Sequence, residues 1–164
     1  MRLPEYIREI ISEYNKNGFE AYAVGGCVRD ELLGKRPFDY DIATSAIPDE
    51  TKSVFSNRRL IETGIKHGTL TLMADEGAVE ITTFRVDGEY SDSRHPESVC
   101  FTRNLSDDLS RRDFTVNAMA YSEKAGIVDI FGGKEDLENR LIRCVGEAPK
   151  RFDEDALRIM RALR

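Results

Sequence analysis

The run GGCVRDELLGKRPFDYDIAT, from Gly25 to Thr44, decides how the rest of the chain is read. Ala21 to Val24, just before it, is a short apolar stretch that predicts a strand ending at the glycine pair. Val28 to Leu33 then predicts a helix that closes at Gly34, and Tyr40 to Thr44 a second strand. In such a strand–glycine–helix unit, the bare backbone N–H groups at Gly25 and Gly26 and the helix N-terminus can approach a phosphate, with Arg29 one turn inside to meet the same anion. A glycine pair can also be only a turn. Asp39 and Asp41 flank Tyr40, and the period of two puts both carboxylates on one strand face, about 7 Å apart. That spacing can bracket a divalent cation: Mg²⁺ takes a few carboxylates plus phosphate oxygens and assists in-line displacement. The bland alternative is a pair of solvated acids in a turn.

Working outward, Ile7, Ile10, Ile11 and Tyr14 fall at i, i+3, i+4 and i+7 after Pro4, which predicts a first helix stopped by Asn17-Gly18. Downstream, Pro48 to Phe55 predicts a helix, and Leu60 to Glu62, Thr69 to Met73 and Val79 to Phe84 predict three strands. Residues 85–104 have no period and many polar residues, so they read as a long mobile loop of the kind that carries function. Helices are expected over Leu105 to Arg111, Thr115 to Tyr121, Glu135 to Asn139 and Asp153 to Arg164, with a strand pair at Ile127 to Phe131 and Leu141 to Val145. The class is α/β (α+β), with a mixed or mostly antiparallel sheet.

At 164 residues with 33% charged and 40% hydrophobic residues, the chain fits one ordinary domain and excludes collagen-like, low-complexity and disulfide-dense classes. The net charge of −6 argues against a domain that binds nucleic acid by bulk charge. Positive charge is nonetheless concentrated at the end: residues 140–164 carry a local +3. Cys27, Cys100 and Cys144 are odd in number and widely spaced, pointing away from a disulfide framework or zinc site and toward a reducing, cytoplasmic setting. No apolar run is long enough for a membrane span, and the N-terminus does not read as a signal peptide. The final helix has no stop signal, which predicts the front part of a longer protein.

Three further groups could carry chemistry. Glu80 alternates with Val79 and Ile81 and is either a third metal-site carboxylate or a surface acid. In SRRDFTVNA, Asp113 is a possible N-cap; Arg112 would touch phosphate or ribose while Asp113 orients it. In FDEDALRIMRALR, Asp155, Arg158, Arg161 and Arg164 recur every three residues on one stripe, opposite Ala156, Leu157, Met160 and Leu163. An amphipathic helix with ion pairs explains this spacing equally well. His67 and His95 stand apart from any triad or zinc pattern.

The order of blocks is more telling than any one of them. GGCVRDELLGKRPFDYDIAT, GIKHGTL from Gly64, VEITTFR from Val79, RRDFTVNAMA from Arg111 and EDALRIMRALR from Glu154 closely resemble the head and first neck segment of class II tRNA nucleotidyltransferases, the CCA-adding enzymes, over essentially the whole chain. The resemblance implies a DNA polymerase β-like nucleotidyltransferase fold with a five-stranded sheet backed by helices. It implies a head at residues 1–145, the start of a helical neck at 146–164, and further tRNA-binding domains beyond. It also implies Mg²⁺ on Asp39 and Asp41, with Glu80 as a third acid, and triphosphate contacts from Gly25, Gly26 and Arg29. Ribose recognition would fall to Arg112 and Asp113, and base selection among CTP and ATP to Asp155 and Arg158, with Arg161 and Arg164 helping to hold the nucleotide. The acceptor would be the tRNA 3′ end, held mainly by the missing domains. Bacterial poly(A) polymerases share several blocks but differ at GIKHGTL and FDEDALR, so they are the alternative, with CC- or A-adding relatives. The segment from Asp87 to Pro96 resembles the flexible loop of full CCA-adding enzymes. An inactive nucleotide-binding fragment is the reading from another class.

Overall fold

A computed structural model describes residues 1–88 and 98–163; the loop expectation at 89–97, including His95, and the position of Arg164 lie outside the described residues. Helix α1 (Glu5–Lys16) buries Ile7, Ile10, Ile11 and Tyr14, the four residues whose spacing predicts it. They pack on the sheet with Ala23, Ile42, Leu72 and Ile81 in the main core. Tyr14 enters that core with its hydroxyl satisfied, donating to Thr51 Oγ1 at 3.0 Å.

Strand β1 (Ala21–Val24), helix α2 (Gly26–Leu32) and strand β2 (Asp41–Thr44) follow the expected order, and α3 (Pro48–Val54) follows β2. The meander β3 (Leu60–Gly64), β4 (Thr69–Ala74) and β5 (Gly77–Thr83) comes next. Strands β8 (Met119–Ser122) and β9 (Gly126–Asp129) complete one sheet in the order β3-β4-β5-β2-β1-β8-β9. Only β2 and β5 run parallel among these pairs. The mixed α/β class is as expected, but the sheet has seven strands where five were implied.

The extra width comes partly from a segment that reads as helix. Residues 115–117 form a 3₁₀ turn, and Met119–Ser122 are a strand on the edge of β1. Met119, Ala120 and Ser122 are buried, and a strand covered on both faces loses the alternation that marks strands in sequence. Its hairpin partner is β9, the strand whose expected partner is Leu141 to Val145. That segment instead laces to the RRDFT run: Thr115 N–H donates to Arg143 O at 2.9 Å and Val145 N–H to Asp113 O at 3.0 Å.

The expected long loop also carries structure at both ends. Strands β6 (Arg85–Asp87) and β7 (Val99–Phe101) form an antiparallel pair, and α4 (Leu105–Ser110) follows under an Asn104 cap. Helix α5 (Gly133–Glu138) packs against the 3₁₀ turn. There is no room for a side chain there: a Cβ at Gly133 would stand 2.1 Å from Thr115 O.

The C-terminal run is two helices, not one. Helix α6 (Ala148–Glu154) ends at Asp155, which is extended (φ −148°, ψ 102°), and α7 (Leu157–Leu163) begins after it. The cause is Asp155 itself, whose carboxylate accepts the Leu157 N–H at 2.9 Å and so starts a new helix. The expected polarity is also inverted. Asp155 and Arg158 are buried at 6% exposure each, whereas Met160 and Leu163 are 63% and 79% exposed. Among the described residues no helix is long and apolar enough to cross a membrane.

Candidate active site

The register across the sheet builds one wall of a cleft. Val24 pairs with Asp41 on β1–β2, and Asp41 pairs with Glu80 on β2–β5, so the glycine turn leaves β1 beside two acids on adjacent strands. Asp39 precedes β2 and is not part of the strand as expected, but it lines the same cleft. Between the two aspartates, Tyr40 is buried and donates to Glu31 Oε1 at 3.0 Å, which keeps the alternation of side chains. Asp41 opens onto the cleft while protein walls it on its other sides. That burial, followed by the like charges of Asp39 and Glu80, pushes its carboxyl up to about 6, with Arg112 pulling the other way. Crowded carboxylates of this kind are poised for a cation. Among the described residues no group of three or more His, Cys, Asp or Glu side chains is close enough to hold an ion alone. The donor set therefore fits a hard ion held by two aspartates, with remaining positions for phosphate oxygens and water.

The opposite wall is cationic. Gly25 has φ +75° and donates its N–H to Met119 O at 3.1 Å, holding a turn that side chains disfavour. A Cβ there would approach Arg112 Nη1 to 3.0 Å, so the bare glycine lets the guanidinium lie against the backbone. Arg29 projects from α2, donating through Nε to Asp30 at 2.9 Å and through Nη1 to Asn117 Oδ1 at 2.7 Å. The N-cap expectation for Asp113 is not met, nor does Asp113 orient Arg112. Its Oδ1 accepts the Phe114 N–H at 2.8 Å and Asn117 Nδ2 at 3.1 Å.

Arg112 is held instead by Asp108, one helical turn earlier, at 3.1 Å. Asp108 is fully buried and also takes Arg111 at 2.8 Å and the backbone N–H of Arg85 at 3.4 Å. Burial works to raise its carboxyl, but Arg112 and then Arg111 outweigh this and leave it below the usual carboxylate range. Arg112 Nε is buried without a hydrogen-bond partner, a donor aimed at nothing in the protein itself.

A chain of hydrogen bonds and ion pairs then crosses the site: Arg29 to Asn117, Asn117 to Asp113, Asp113 to Arg161 at 3.5 Å, and Arg161 to Asp155. Arg158 is gripped by Glu154 Oε2 at 2.6 Å and the carbonyls of Arg151 and Arg111 at 2.9 and 3.3 Å. The cleft enclosed by these walls is about 1200 Å³ and is lined by Gly25, Gly26, Arg29, Asp39, Asp41, Glu80, Arg112, Asp113, Asp155, Arg158 and Arg161. Eleven of the twelve residues singled out in the sequence thus meet in one place. Asp108 and Asn117 were missed, although Asp108 precedes Arg111 and Arg112 by three and four residues, the spacing of adjacent helical turns. His67 also lines the cleft, and its carbonyl accepts from Arg85.

A family model described as the poly(A) polymerase head domain matches residues 21–143. The chain belongs to this family. Among curated relatives of this head domain, the CCA-adding enzyme of Geobacillus thermodenitrificans is 57% identical over 155 residues, covering 94% of this chain and 38% of that protein. The crystal structure of the Bacillus stearothermophilus CCA-adding enzyme in complex with CTP superposes with a TM-score of 0.87 at 46% identity, covering 99% of this chain and 39% of that one. The Thermotoga maritima CCA-adding enzyme complexed with tRNA_CCA gives 0.76 at 29% identity, covering 99% and 38%. The chain thus spans about two fifths of the length of the relatives it matches.

Proposed function

We propose that residues 1–164 carry the nucleotidyltransferase site of a CCA-adding enzyme, which extends tRNA 3′ ends with CTP and ATP. The observation that carries this reading is the single cleft that brings Asp39, Asp41 and Glu80 together with the Gly25-Gly26 turn, Arg29 and Arg112. Close likeness to an enzyme crystallised with CTP and another complexed with tRNA_CCA supports the choice of substrates. Residues 1–145 would be the head and 146–164 the start of the neck. Cytoplasmic residence belongs to the same proposal and fits three free cysteines.

In this reading Asp39 and Asp41 hold Mg²⁺, which would screen the triphosphate and assist displacement at the α-phosphorus. Gly25 and Gly26 admit the phosphates to bare backbone, and Arg29, only a third exposed, pairs with them at the cost of loosening its bond to Asp30. Arg112, which lines the cleft with its Nη1 beside Gly25, supplies a donor for the ribose hydroxyls. The acceptor 3′-hydroxyl attacks the α-phosphorus and pyrophosphate departs. Asp155 keeps acceptor capacity beyond its bonds to Leu157 and Arg161, enough for an exocyclic amino group of cytosine or adenine. Arg158 reads the same edge only by exchanging one of the partners that now hold it.

The test is transfer by the full-length polypeptide carrying this sequence, with tRNA lacking CCA and each ribonucleotide in turn. Addition of C, C and A in order, stopping there, is the expected result. Runs of A alone would favour a poly(A) polymerase, and nucleotide binding without transfer an inactive module.

A further inference from the structure

We propose that Phe38 is a stacking platform for the terminal base of the acceptor RNA, an assignment that rests on the transferase reading above. The other phenylalanines near the site are covered or half-covered: Phe84 is 0% exposed and Phe101 42%, whereas Phe38 is completely exposed at 101%. This is not the looseness of an unanchored segment. Its neighbours Pro37 and Tyr40 are buried, Tyr40 is bonded to Glu31, and the Lys35 N–H donates to Asp30 O at 2.9 Å. The fold therefore pins the turn on both sides and holds the ring outward, where it lines the cleft.

The chemistry around the ring suits single-stranded nucleic acid. Lys35 and Arg36, both exposed, precede it on the same turn and can follow a phosphate backbone, while an aromatic face accepts any base. Phe38 adjoins Asp39 in the chain, the acid placed at the reacting phosphate. A transfer reaction brings two bases to the site. The incoming nucleotide's base is assigned to the Asp155 end, so the base beside Asp39 is that of the acceptor, whose 3′-hydroxyl must reach the same spot. A platform that reads only a π-face also suits an acceptor whose terminal base changes as the end grows.

The chain contains no tryptophan, so Phe38→Trp places a single tryptophan, excited selectively over the tyrosines, at the proposed platform. The dinucleotide CpC, titrated into the millimolar range, should quench its emission, and CTP alone should leave it nearly unchanged. By calorimetry, Phe38→Ala and Phe38→Leu should each weaken CpC binding about tenfold, the loss of one stacked base, with CTP affinity kept. In the full-length polypeptide the same variants should raise KM for the acceptor and not for CTP. Absence of quenching at saturating CpC, full CpC affinity in Phe38→Leu, or equal losses for CpC and CTP would each overturn the platform while the transferase reading stands. If the full-length polypeptide binds neither CpC nor CTP, the transferase reading falls and takes the platform with it.

Discussion

Asp108 lies at the meeting point of α4, β6 and the RRD run, and its removal tests whether the cationic wall is built as described. The carboxylate is fully buried and accepts from Arg111 twice, at 3.1 and 2.8 Å, from Arg112 at 3.1 Å and from the Arg85 backbone. The two arginine side chains are only 17% and 19% exposed, so water cannot take over the lost interactions. Removing one member of a buried pair typically costs about 3–5 kcal/mol, because the remaining charge is left without its partner. Asp108→Ala should fall in that range: Arg112 loses its ion-pair partner, while Arg111 keeps Asp87 Oδ2 at 3.6 Å. With a urea slope of about 2 kcal/mol/M, the unfolding midpoint should drop by about 2 M at pH 7. The sign with pH follows from the depressed carboxyl of the folded state. Its stabilisation is present above the ordinary value of 3.8 and is lost as pH falls through the lower folded value. The gap between wild type and variant should therefore narrow below about pH 4. A midpoint shift under about 0.5 M at pH 7, or a gap that widens in acid, would refute the buried-hub account.

Asp39→Ala or Asp41→Ala should abolish nucleotide transfer without lowering the urea midpoint, since neither side chain is buried in the core and Asp41 carries the repulsion of Asp39 and Glu80, so that its loss should if anything raise the midpoint at pH 7; transfer at wild-type rates by either would remove the two-aspartate mechanism. Asp155→Ala should admit UTP or GTP, losing about 1–3 kcal/mol of base discrimination, and Arg158→Ala should do so with a marked loss of stability as well, read by misincorporation on tRNA ending before CCA and by urea unfolding. Strict C and A selection by both would make the stripe structural. Gly25→Ala should destabilise by about 1–2 kcal/mol from backbone strain at φ +75° and should weaken CTP binding by displacing Arg112, which isothermal titration would detect.

Local periodicity made the first half of the site legible. The spacing of Ile7, Ile10, Ile11 and Tyr14, and the strand–glycine–helix order around Gly25, are short-range patterns, and the structure follows them. What could not be read was whatever depends on partners far along the chain. No feature of VEITTFR says that Glu80 will pair with Asp41, because a parallel register is set by the packing of the whole sheet. Met119 and Ala120 look helical for the same reason they are strand: both faces are covered, so no alternation survives. At the C-terminus the three-residue recurrence was real, yet one side-chain bond from Asp155 restarted the helix and turned the charged stripe inward. Asp108 was within reach of sequence reasoning, since its spacings of three and four to Arg111 and Arg112 are those of adjacent helical turns.

Among the described strands, the one parallel pairing divides the sheet in two. On one side stand β3, β4 and β5, a meander of consecutive strands; on the other stand β2, β1, β8 and β9. Asp41 and Glu80 sit opposite each other across this join, thirty-nine positions apart in the chain. Neither half holds both acids, so the repulsion between them exists only where the halves meet. It is borne there by contacts such as Ile42 against Ile81, which lie in the same register. The electrostatic tension of the cleft thus belongs to the join between the two halves, and the apolar register beside it is what holds that join closed.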